Sequence, residues 1–164
     1  MPDASADATT PTPSAVRLTW SLAGSGWATC TLETAHGTVE VLASRIGNAP
    51  EDLLTAVARL VAGAAETRAQ FEAEPTAFRW IFRRDGHDTR LRLLELPHGR
   101  SPDSAGTALW SGRLGVDAVA RAVTRCFDEV VRVHGESGYL SRWGAPFPRW
   151  ELEALRRLRR DAQP

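Results

Sequence analysis

Residues 78–96 read FRWIFRRDGHDTRLRLLEL. Phe78, Trp80 and Phe82 alternate with Arg79, Ile81 and Arg83, the period of a strand with one buried face. Asp85-Gly86 follows, a strong two-residue hairpin signal. Leu91 and Leu93 then alternate with Arg90 and Arg92. A turn centred on Asp85-Gly86 sets Trp80 against Leu91 and Phe78 against Leu93 on the core face. It sets Arg79 against Arg92 and Arg83 against Asp88 on the other face. The stretch predicts an antiparallel hairpin, aromatic inward and guanidinium outward.

Upstream, a strand over about 67–74 is stopped by Pro75. Before it, Asn48-Ala49-Pro50-Glu51 reads as a helix start, with a capping residue, a proline in the first turn and an acid three residues after the cap. Leu53, Leu54, Val57, Leu60, Val61 and Ala64 recur at helical spacing, and Gly63 lies near the end. Earlier still, Val16, Leu18, Trp20 and Leu22 alternate with polar residues up to Gly24-Ser25-Gly26. Ala28, Cys30 and Leu32 take up the same face, and after His36-Gly37 so do Val39, Val41 and Ala43. A three-residue loop at 24–26 sets Leu22 opposite Ala28, Trp20 opposite Cys30 and Leu18 opposite Leu32.

Downstream, residues 97–106 (PHGRSPDSAG) read as a loop and about 107–113 as a short strand with Trp110. Val119, Val123, Cys126, Phe127, Val130 and Val133 line a second helix that Gly135 ends. A turn and short helix carry Tyr139 and Trp143. Pro146 and Pro148 precede a last helix whose Trp150, Leu155 and Leu158 point inward. The order is βββ-α-ββββ-α-α. The fold class is α+β: one mostly antiparallel sheet of about seven strands, with two main helices packed on one face. Residues 15–160 form a single domain. Residues 1–14, small and polar with three prolines, read as a disordered tail.

A chain of 164 residues with 43% hydrophobic and 24% charged residues has the composition of an ordinary globular protein. Twenty basic residues balance 20 acidic ones, which argues against the global basic field of many nucleic-acid binders. All the basic residues are arginine. Schiff-base chemistry, a lysine base and a P-loop lysine are therefore unavailable. No apolar run reaches membrane-spanning length, no signal-peptide pattern opens the chain, and Cys30 and Cys126 have no paired-motif spacing. The sequence points to a cytoplasmic protein with free, buried thiols and no membrane partner. No cofactor motif is legible, and none is assigned.

The outer face of the 78–96 hairpin carries Arg79, Arg83, Arg90 and Arg92, with Arg68 alongside. Such a cluster suits a phosphate, a nucleic-acid backbone or an acidic protein surface. The plainer account is a solvated face neutralised by Glu72, Asp88 and Glu95. Glu33 and Glu40 are placed opposite each other near His36-Gly37, a carboxylate pair suited to acid–base or metal chemistry. Arg17 beside Glu33 makes a surface ladder the plainer reading. His36, His87, His98 and His134 show no metal-ligand spacing, and no nucleophile motif such as GxSxG is present. Trp27 and Trp143, with neighbouring arginines, have the make-up of a binding hot spot. The alternative is that the C-terminal aromatics clamp the last helix.

The hairpin with Trp20, Gly24, Gly26 and Trp27, together with Gly138-Tyr139-Leu140-Ser141-Arg142-Trp143-Gly144 before Pro146-Phe147-Pro148, resembles an uncharacterised family of small α+β proteins from GC-rich bacteria, over residues 16–158. The resemblance carries over no catalytic residues. In layout alone the chain also resembles immunity proteins of bacterial toxin systems. The expected function is a non-enzymatic protein-binding module. The alternatives are an anion or nucleic-acid binder using the arginine face, and a small enzyme whose site assembles only in three dimensions.

Overall fold

The computed structural model describes residues 15–163. The expectation for residues 1–14 lies outside the described residues. β1 (Arg17–Gly24), β2 (Trp27–Thr34) and β3 (Gly37–Ser44) form an antiparallel meander. Leu18 faces Leu32, Trp20 faces Cys30 and Leu22 faces Ala28, the register that alternation required. The turn itself is two residues, Ser25 and Gly26, both at positive φ, with a bulge between Leu22 and Gly24 that supplies the third residue of offset.

α1 (Ala49–Val61) follows, with Pro50 in its first turn. Asn48 precedes it, but its side chain makes no capping bond. β4 (Glu66–Glu72), β5 (Ala77–Asp85), β6 (Asp88–Leu96) and β7 (Thr107–Gly115) make a second antiparallel sheet in that order. α2 (Val116–Trp143) is broken at Gly135 (φ 66°, ψ 167°), where the helix was expected to end, and resumes to carry Tyr139 and Trp143. α3 (Arg149–Ala162) closes the chain.

Two expectations of architecture are corrected. The seven strands form two sheets, of three and four strands, not one. At the free edge of β4 the Asp52 carboxylate of α1 lies near the Gln70 backbone N–H, which acts to lower its raised pKa, and the Glu72 side chain lies against Gly47. The three helices are those the order predicts, but all three pack together, not only two main ones on one face, with α1 over β4 and α2 over β1. One hydrophobic cluster nonetheless includes residues of both sheets and all three helices.

Hairpin registers are corrected too. In the β5–β6 hairpin the turn residues are Gly86 and His87, with Asp85 opposite Asp88. Gly86 is at φ +64° and His87 is not at positive φ, so the glycine takes the first central position, as a type II′ turn requires. Moving the turn one residue along shifts each partner by two, which preserves the faces and changes the pairs. Trp80 faces Leu93, Phe82 faces Leu91 and Arg83 faces Arg90. Between β2 and β3 the turn is Ala35-His36, held by the Thr34 hydroxyl, which accepts the His36 N–H (3.1 Å). Glu33 consequently faces Thr38, and Glu40 faces Thr31; the two carboxylates are not opposed.

Candidate functional site

The arginine face is largely committed to structure. Residues 97–106 fold across the outer face of the second sheet instead of leaving it to solvent. Ala77, Ile81, Leu94 and Leu96 form a separate small apolar cluster on that side. Arg79 lies at its margin with its side chain 12% exposed. Its Nε and Nη2 donate to Gln70 Oε1 (3.0 and 2.8 Å). Its Nη1 donates to Ser101 O and Asp103 Oδ1 (both 2.8 Å), and Nη2 also donates to Gly99 O (3.1 Å). Arg79 is thus corrected from an open surface cation to the internal clamp of a loop. Arg68 shares Asp103, and its hydrogen bond is the main cause that holds the Asp103 carboxyl below its usual range.

The other guanidiniums differ. Arg83 pairs with Glu66 (3.2 Å), and Arg113 with Asp85 and Asp88 (2.8 and 2.9 Å). Arg90 and Arg92 are exposed and make no ion pair among the described residues. The sheet face therefore offers two uncommitted arginines where the sequence suggested four.

The tryptophans also divide. Trp27 is 36% exposed on the uncovered face of the first sheet. Trp143 is corrected from a surface candidate: it is 1% exposed and meets Trp20 edge-on, centroids 5.4 Å apart. Trp150 is corrected from inward-facing to 81% exposed, and Val133 to 57%. The 20–27 hairpin and the 138–148 stretch meet here. Besides the Trp20–Trp143 contact, Gly26 N–H donates to Arg142 O (3.0 Å), and the Arg45 side chain runs over both Gly26 and Gly144.

The thiols are buried and free. Burial pushes Cys126 up to about 12, and raises Cys30 as well, with the Cys126 charge adding to the effect. Both are far from the thiolate form a nucleophile needs. Among the described residues no three or more His, Cys, Asp or Glu side chains gather as a metal site. None of the described helices is long and apolar enough to cross a membrane.

The feature that residue patterns missed is a groove of about 740 Å³ between the free edge of β1 and α2. It runs along Val16–Leu22 on one wall and past Cys126, Val130 and Val133 on the other. In two-residue hairpins the flanking residues bond to each other, which here pairs Gly24 with Trp27 and Thr34 with Gly37. Odd positions of β2 thus turn toward β1, and their β1 partners are Arg17, Thr19 and Ser21. That leaves the backbone groups of Leu18, Trp20 and Leu22 on the open edge, in the groove. Arg17, Arg125 and Glu129 line it; Glu129 is paired with Arg132 and also feels the Arg17 charge, while Arg17 and Arg125 make no ion pair among the described residues. A meander necessarily makes its first strand an edge, which was the one available signal. The second wall came from a helix a hundred residues later.

No family model, curated protein or solved structure matches the chain.

Proposed function

We propose that this protein is a non-enzymatic protein-binding module that receives an extended segment of a partner protein along β1. The supporting observation is the unpaired β1 edge opening into a groove walled by α2. An added strand satisfies the N–H and C=O groups of Leu18, Trp20 and Leu22, and its alternate side chains lie against Val130 and Val133. The unpaired Arg17 and Arg125 favour a segment with an acidic residue among alternating apolar ones. An immunity-like role, with a toxin as the partner, is one form of this reading.

The test is selection of peptides from a random library on the immobilised full chain, followed by affinity measurement and hydrogen exchange. Selected peptides are expected to be apolar at alternate positions and to carry an acid. They should slow exchange at Leu18, Trp20 and Leu22. V133E should weaken binding by about tenfold or more, while substitution of Trp150 leaves it unchanged. Absence of any peptide tighter than about 1 mM, or protection elsewhere than β1, overturns the proposal.

A second reading, an anion or nucleic-acid interface on the sheet face, rests on Arg90 and Arg92. Its mark is steep salt dependence that R90E/R92E removes.

A further inference from the structure

We infer that the C-terminal end of α3 forms, with the start of α2 and the β5–β6 turn, a binding pocket for a small phosphate-bearing anion. Two adjoining cavities of about 510 and 270 Å³ meet there, and Arg159 and Gln163 line both. Arg84 and His87 also line the larger, Arg156 and Arg160 the smaller. Their joint size is that of a small-molecule site.

Some of this charge is already spent. Arg84 donates to the carbonyls of Leu60 and Val61 at the end of α1 and to Gly86 O. Arg156 is paired with Asp128 and Glu153. The carboxylate in the lining, Asp117, is neutralised by Arg121 at 2.8 Å. Arg159 and Arg160 are the remainder: among the described residues neither side chain makes a hydrogen bond or ion pair.

Arg159 is partly buried, and its Nε is shielded from solvent with no acceptor. It is one of six such buried side-chain atoms among the described residues, and a solvent-shielded Nε meets a ligand only when the side chain turns toward the cavity. A guanidinium fork matches the charge and geometry of a phosphate oxygen pair. At the N-terminal end of α2 Gly115 supplies no side-chain cap, but Asp117 already sets a carboxylate in the first turn, so the helix dipole adds little to the anion site. The Val116 N–H bonds to His87 O (2.9 Å), which fixes the β5–β6 turn against this end and keeps the pocket's shape. The inference does not depend on the β1 groove.

Calorimetric titration of the full chain at low salt, with inorganic phosphate, pyrophosphate and adenosine triphosphate as probes, tests it. Saturable one-site binding is expected for at least one probe. R159Q/R160Q should weaken it by about tenfold or more, and R100Q, at an exposed arginine outside every assigned site, should leave it unchanged. Preference for inorganic phosphate assigns the site to free phosphate; preference for the other two assigns it to a polyphosphate group. Should R159Q/R160Q not fold, R160Q alone decides, since Arg160 is exposed and its side chain makes no hydrogen bond or ion pair among the described residues. No saturable binding of any probe overturns the inference. So does binding that survives the α3 substitutions or falls equally with R100Q.

Discussion

Arg79 and Arg92 share one hairpin and one alternation, yet one is enclosed and the other solvated. Alternation states which side of the sheet a residue occupies, and that much was legible for both. It does not state what covers that side. The cover came from residues 97–106, whose Gly99 and Ser101 carbonyls and Asp103 carboxylate converge on one guanidinium. Truncating Arg79 leaves those acceptors unpaired, so R79A should cost about 2–4 kcal/mol, against under about 0.5 kcal/mol for R92Q. Urea denaturation of the two variants measures the difference; equal costs would show that the loop does not depend on the clamp. Glu51 makes a second prediction at this scale. Burial, opposed by its own backbone N–H and reinforced by Glu151 and Asp52, raises its carboxyl from 4.5 to about 7. The folded state then holds a proton that the unfolded chain releases. Stability is fully present below pH 4.5 and falls as pH rises toward about 7. The loss from this group is about 1–2 kcal/mol, allowing for its partial exposure. In E51Q that part of the pH dependence should vanish; an unaltered pH–stability curve in E51Q would contradict the assignment.

Elements were more legible than the pairing between them. Each strand and helix lies near its predicted span because periodicity, proline and glycine are local signals. Register depends on which residue occupies each corner of a turn, and Asp85-Gly86 and His36-Gly37 each allowed two placements. Both slips were by two positions, so no core residue changed face. Gly135 is the sharpest case of a local signal with a structural consequence. Its φ of 66° with ψ of 167° is a conformation essentially confined to glycine, and an added Cβ would meet nothing within 4 Å. The cost of replacing it is therefore backbone strain, not collision. G135A should lose about 1–3 kcal/mol. The segment Glu136–Trp143 should then exchange its amides faster than Val116–His134, because the strain is relieved by releasing the shorter piece. Uniform loss of protection along all of α2 would argue against a hinge at this residue.

At the scale of the molecule, separate sheets raise the question of whether the halves unfold separately. The contacts of Trp20 argue against it. From the first sheet its ring meets Phe71 of β4 at 5.8 Å, Phe127 of α2 at 5.7 Å and Trp143 beyond the Gly135 break at 5.4 Å. No backbone ladder joins β3 to β4. The coupling between the sheets is thus carried by packed side chains, and packed side chains fail together when a large one is removed. W20A should cost about 3–5 kcal/mol. Near- and far-ultraviolet circular dichroism should still report one coincident transition in the parent chain. In W20A the transition should move to lower denaturant and, if the ring is the main tie, broaden as the two sheets lose their common partner. That role was only half visible beforehand: alternation put Trp20 in the core, but its neighbours come from three distant segments that no local pattern connects. A parent chain that melted in two steps would mean that each sheet with its own helices is stable alone. The β1–α2 groove would then lie within one independently folding half.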